Sequence, residues 1–175
     1  MRLAHISDLH FSSPSLNPTQ LFSKRWLGNL NLLLSRKKNF STHQLSLLPD
    51  FFIEQAVTHV LISGDFSSTS LKKEFIEASA FVHSLERVGL KVFTLPGNHD
   101  HYTRRAYKKK LFYDFFPAQF AAESAYNMKD HGITIIPIGN QLWMLILDTA
   151  IATSLVSSQG LFSSILETHL EKAFH

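Results

Sequence analysis

The stretch Val92-Phe93-Thr94-Leu95-Pro96-Gly97-Asn98-His99-Asp100 decides how this chain is read. Its first half is an apolar run of strand length and reads as a buried strand. The tetrapeptide Gly97-Asn98-His99-Asp100 therefore lies at a strand's C-terminal end, where open α/β sheets gather their chemistry. Asn98 offers a neutral oxygen ligand and His99 an imidazole that can move protons. Asp100 can orient an imidazole by accepting its N–H. Gly97 permits a sharp turn and a close backbone approach to a ligand.

Two further strand ends lie upstream. The run Leu3-Ala4-His5-Ile6 leads to Asp8-Leu9-His10, and His59-Val60-Leu61-Ile62-Ser63 leads to Gly64-Asp65. A helix is predicted over about 71–88, with Ser70 as its cap, Phe75, Ala78, Val82 and Leu85 as its apolar face and Gly89 as its stop. Strands alternating with helices over the first hundred residues imply a parallel-sheet core.

Outside this core, residues 20–37 read as an amphipathic helix with Leu27, Leu30 and Leu34 on one face. Another helix follows Ser41-Thr42, and Pro49 is expected to kink it or start a new one. A helix near 103–116 is basic early and aromatic late. Residues 133–138 and 142–147 read as two strands of a hairpin turning at Gly139-Asn140, and a last helix covers about 158–174.

With 175 residues, the chain suits one domain with a real core, and its hydrophobic content of 45% is ordinary for a globular protein. It has no cysteine, which excludes disulfides, thiolate zinc sites and cysteine nucleophiles. The N-terminus lacks the pattern of a secretory signal, and no apolar run is long enough to span a bilayer, so a cytoplasmic location is expected. The net charge is +3, and the positive charge is clustered: Lys24-Arg25 with Arg36-Lys37-Lys38, and Arg104-Arg105 with Lys108-Lys109-Lys110. Such clusters are either solvated surface or a means of attracting a phosphate ester, a nucleic acid or an acidic lipid headgroup.

The ligand-type residues combine hard oxygen with imidazole nitrogen, which suits Mn, Fe, Zn or Co. Taken singly, Asp8-x-His10, Gly64-Asp65 and Gly97-Asn98-His99-Asp100 are each compatible with ordinary turns. Taken together and in order, they resemble the calcineurin-like metallophosphoesterase superfamily. Leu147-Asp148-Thr149 resembles a strand end of that family, and the run from Gly160 to Leu170-Glu171 resembles the helix that follows it.

The resemblance implies a layered αββα metallophosphatase sandwich, two mixed sheets flanked by helices. It implies a single domain over residues 1–175 with a basic helical insertion at about 12–49. It places Asp8 and His10 on one metal, Asp65 between two divalent metals and Asn98 on the second. A shared hydroxide would attack the phosphorus in line, with His99 as the acid near the leaving group and Asp100 supporting it. Phosphoester and pyrophosphate substrates both fit, including nucleotide or lipid-linked ones such as a UDP-diacylglucosamine. The basic helix with Trp26 would serve as a lid over the metals or touch the inner membrane surface.

The family pattern continues with a further His-bearing strand and a Gly-His-x-His motif. By the resemblance this chain is expected to be shortened at its C-terminal end; His169 and His175 do not match those motifs and are not assigned as ligands. Two alternatives follow: an inactive remnant that binds an anion or a partner, and a nuclease of the same superfamily whose basic runs grip backbone phosphates.

Overall fold

The computed structural model describes residues 1–13, 42–117, 126–154 and 157–174. The predicted helix at 20–37, and with it Trp26 and the first basic cluster, lies outside the described residues.

Three parallel strands form the first sheet: β1 (Leu3–Ile6), β2 (His59–Ser63) and β3 (Lys91–Leu95), in the order β1-β2-β3. Leu3 pairs with His59, and Ser63 pairs with Leu95. β2 is central, and Val60 and Ile62 on it are fully buried. This is the parallel core expected from the alternation of strands and helices. Because the register brings all three C-terminal ends to one edge, the three ligand motifs leave the sheet side by side.

Among the described residues, two helices cross between these strands. α1 (Thr42–Glu54) runs on through Pro49, so no new helix begins there. Pro49 is buried in the helix, and Leu45, Leu48 and Phe52 hold that helix against the core. α2 (Lys72–Arg87) buries the expected face of Phe75, Ala78, Val82 and Leu85, together with Phe81. Gly89 follows with φ +89°, a conformation that suits glycine at a helix stop.

The start of α2 differs from expectation. Ser70 is not its cap; Leu71 is, and the Glu74 carboxylate reaches back to the Leu71 amide at 3.0 Å and the Thr69 amide at 2.9 Å. Ser70 instead has φ +56° and turns its hydroxyl toward the His99 carbonyl.

The helix expected near 103–116 is two short pieces, α3 (Arg104–Lys108) and a 3-10 turn over Leu111–Asp114. Lys110, in a left-handed conformation, separates them. The break lets Phe112 pack edge-on and Phe116 at a tilt against Phe66, the buried residue that follows Asp65. A short helix, α4 (Met128–His131), precedes the second sheet. There β4 (Ile133–Pro137) and β5 (Trp143–Leu147) pair antiparallel, as the hairpin reading anticipates. Ile136 and Ile146 join the same core as the strands of the parallel sheet. The final helix, α5 (Ser164–Ala173), begins later than expected, where the Ser163 hydroxyl caps the Leu166 amide.

Candidate metal centre

Beyond the ends of β1 and β2 the chain keeps pairing. The Asp8 amide donates to the Gly64 carbonyl at 3.2 Å and the His10 amide to the Asp65 carbonyl at 2.8 Å. This is possible because Asp8, His10 and Asp65 all adopt positive φ, at 59°, 49° and 55°. A non-glycine residue there is strained by about 1–2 kcal/mol. Three such residues in two facing turns, each bearing a ligand-type side chain, is the pattern of strain held at a functional site.

Two glycines let the turns close. A Cβ on Gly64 would lie 2.8 Å from Gly97 Cα. A Cβ on Gly97 would overlap Asp65 Oδ1 and lie 2.5 Å from the Asp65 amide nitrogen. Only bare backbone fits between the second and third ligand turns.

The side chains converge accordingly. His10, Asp65 and His99 each present a ligand atom within 4.8 Å of the others, a group able to hold a metal ion. Asp8 joins them, its Oδ1 3.6 Å from His10 Nε2, while Asp65 Oδ2 lies 3.9 Å from the same nitrogen. Asp8 is also bonded by the Ser7 hydroxyl at 2.5 Å. The His10 and His99 rings meet edge to face at 4.9 Å. Asn98 rides half-buried in the same turn as His99. Carboxylate oxygen and imidazole nitrogen in one partly enclosed cluster form a donor set that fits a divalent transition metal.

The expected role of Asp100 requires correction. Its carboxylate does not orient the His99 ring. It is fully buried and accepts four bonds from elsewhere: the Phe66 amide at 3.2 Å, the Ser67 amide at 2.8 Å, the Ser67 hydroxyl at 2.9 Å and the Gly97 amide at 3.0 Å. Asp100 thus ties the turn after β3 to the turn after β2. Burial pushes its carboxyl up to about 6, against the opposing pull of the Gly97 and Ser67 bonds. The ring of His99 is oriented by the Ser68 carbonyl, 2.8 Å from Nδ1. With that carbonyl accepting the Nδ1 proton, Nε2 is the nitrogen turned to the cluster's chemistry. Tyr102 stacks on the same ring at 5.6 Å.

Ser67 and Ser68 stand out in no motif, because a backbone carbonyl or a turn hydroxyl leaves no spacing signal, and Ser70, expected as a helix cap, instead bonds the His99 carbonyl. Sequence reasoning also did not anticipate how Asp148 is used. At the end of β5, Asp148 accepts a 2.5 Å bond from the Tyr113 hydroxyl and lies 3.8 Å from Nε2 of the buried His101. Burial and the adjacent Asp148 charge push the Tyr113 phenol upward. His101 and Tyr102 are buried turn residues.

A profile of the calcineurin-like phosphoesterase family matches residues 1–169, from β1 into α5. The chain belongs to the calcineurin-like phosphoesterase family. None of the curated proteins compared with it matches. All three candidate ligand turns of this phosphoesterase family member lie within the matched span. Among the described residues no helix is long and apolar enough to cross a membrane.

Proposed function

We propose that this phosphoesterase is a metal-dependent hydrolase of phosphoester or pyrophosphate bonds. In this reading Asp8, His10, Asp65 and Asn98 hold two divalent cations, and His99 is the general acid. The observation that carries the reading is the convergence of His10, Asp65 and His99 ligand atoms within 4.8 Å at the ends of three adjacent strands. Divalent cations supply Lewis acidity toward phosphoryl oxygens and a nucleophilic water at neutral pH.

The chain's own residues supply the rest. The Asp65 carboxylate holds the His99 amide at 2.9 Å and so sets the height of the imidazole. The Ser68 carbonyl orients the ring by accepting a hydrogen bond from Nδ1–H, which keeps its proton throughout. Protonated Nε2 then gives its proton to the departing oxygen, and the neutral ring regains one from water.

The test is turnover of an aryl phosphate monoester, an aryl diester and a pyrophosphate by protein supplied in turn with Mn, Fe, Zn and Co. Cleavage of at least one is expected. His99→Gln should lower kcat by about 10²- to 10⁴-fold while bound metal is retained. Silence of the parent protein on all three substrates would overturn the hydrolase reading. Loss of metal in His99→Gln would overturn the general-acid role and make His99 a ligand.

A further inference from the structure

A cavity of about 660 Å³ is lined by Ser70, whose hydroxyl bonds the His99 carbonyl, and by four cationic side chains, Lys72, Lys73, Arg105 and Lys109. We propose that it binds a second phosphate group of the substrate, distinct from the one hydrolysed. This rests on the hydrolase reading above and specifies which substrates that site favours.

The walls of the cavity come from the ligand turns. The lining draws on three chain segments, each the direct continuation of a ligand turn. Ser13 follows His10, Ser70 to Lys73 follow Asp65, and Thr103 to Leu111 follow His99. The cavity is therefore at the same edge of the parallel sheet as the metal ligands. Ser70 joins the two physically: it is fully buried, it lines the cavity, and its hydroxyl donates to the His99 carbonyl at 2.8 Å. Ser70 Oγ in turn accepts the Tyr102 amide at 2.8 Å. A group held in the cavity would thus sit in a fixed relation to His99.

The charge of the lining points the same way. Among the described residues none of the four cations makes an ion pair. The carboxylate in the lining, Asp114, is taken by Lys129 at 3.3 Å. Four like charges around one concavity repel each other, and an anion entering it relieves that repulsion. Just ahead of α2, Glu74 occupies the Thr69 and Leu71 amides. Recognition falls to the side chains, whose ammonium and guanidinium donors suit phosphate oxygens. The volume lies within the range of small-molecule sites and accommodates a phosphate with part of the group it carries.

The probe is inorganic pyrophosphate titrated calorimetrically into metal-free full-length protein. The parent is compared with Lys72→Gln/Arg105→Gln and with Arg87→Gln/Lys91→Gln, which removes the same charge at the far ends of α2 and β3. Binding by the parent is expected, about tenfold weaker in the first variant and unchanged in the second. No binding by the parent, or equal loss in both variants, would overturn the proposal.

A second arm uses metal-loaded protein. Lys72→Gln/Arg105→Gln should raise KM for a nucleoside diphosphate about tenfold more than for an aryl monophosphate if the second phosphate belongs to a small molecule. The same excess seen only with an oligonucleotide, together with a shallower salt dependence, would place it on a nucleic-acid strand. An identical KM change for every substrate would overturn the proposal. If no protein hydrolyses anything, the hydrolase reading fails, and the calorimetry still decides whether the cavity binds phosphate.

Discussion

Asp65 and His99 are joined through the main chain as well as through the cluster: Asp65 Oδ1 accepts the His99 amide at 2.9 Å, and Asp65 Oδ2 faces His10 at 3.9 Å. One carboxylate thus shapes the turn with one oxygen and offers the other to a cation. The two duties separate by substitution. Asp65→Asn keeps an oxygen for the His99 amide and removes the charge. It should shift the thermal midpoint by no more than about 4 °C while weakening Mn retention by about 100-fold or more. Asp65→Ala should lose both. Equal metal retention in Asp65→Asn and the parent, measured after dialysis, would exclude Asp65 from the metal shell.

Gly97 is where backbone and side chain meet most tightly. A methyl group there overlaps the Asp65 carboxylate, so Gly97→Ala must push apart the second and third ligand turns. Overpacking of this kind costs about 1–3 kcal/mol, or roughly 2–12 °C in a chain of this length. Turnover should fall further than stability, because the displaced atom is a proposed ligand. Thermal melts and kcat on the same preparation compare the two. A variant as active as the parent would show that the turns tolerate separation.

What could be read from the sequence follows a physical division. Strands such as Val60–Ile62 and Val92–Leu95 announce themselves by apolar runs, and the α2 face of Phe75, Ala78, Val82 and Leu85 by its helical period. Buried elements of regular geometry leave regular traces. Asp8, His10, Asp65 and His99 could be nominated because ligand-type residues stood at strand ends. The bonding of Asp100 could not. A carboxylate next to a histidine invites a local pairing, whereas the actual partners, Phe66, Ser67 and Gly97, are set by the meeting of two turns. Ser70 misled for a similar reason. Its residue type suits a helix cap, but the helix starts one residue later with Glu74 bonding the Thr69 and Leu71 amides, and the Ser70 hydroxyl is used by His99 and Tyr102. The cationic cavity assembles residues 72 and 73 of α2 with residue 105 of α3 and residue 109 just after it, a proximity that no local pattern contains.

Asp100 gives the clearest stability test of this tie between turns. Its two oxygens accept from three amides and one hydroxyl in a site closed to water. Asp100→Asn turns an NH₂ group toward donors and leaves at least one buried N–H unsatisfied. The expected loss is about 2–4 kcal/mol in urea unfolding, with m unchanged. Ser67→Ala, which removes only the hydroxyl bond, should cost about 1 kcal/mol. Equal losses in the two variants would show that the backbone bonds to Asp100 carry little.

Glu74 allows a prediction in pH. Burial raises its pKa above the ordinary value of 4.5, while bonds from Leu71, Thr69 and Ser13 pull the other way and only partly offset it. Below 4.5 the group is protonated both folded and unfolded, and its contribution is fully present. As pH rises past 4.5, the unfolded chain releases the proton first while the folded chain still holds it. Native protein then binds more protons than unfolded protein, and stability falls with pH until Glu74 ionises in the fold, after which it is level. The slope cannot exceed about 1.4 kcal/mol per pH unit for one proton. Asp100 shifts in the same direction, so the measurement must be a difference between the parent and Glu74→Gln, in which the Asp100 contribution cancels. The parent's stability relative to Glu74→Gln should decline as pH rises from about 4 and then become constant. At every pH the variant should also carry a loss of about 1–3 kcal/mol from the amide it turns toward backbone donors. A difference that stays flat across the acid range would mean that Glu74 titrates alike in the folded and unfolded chain. A difference that grows with pH would mean that the backbone bonds outweigh burial and hold the carboxylate ionised.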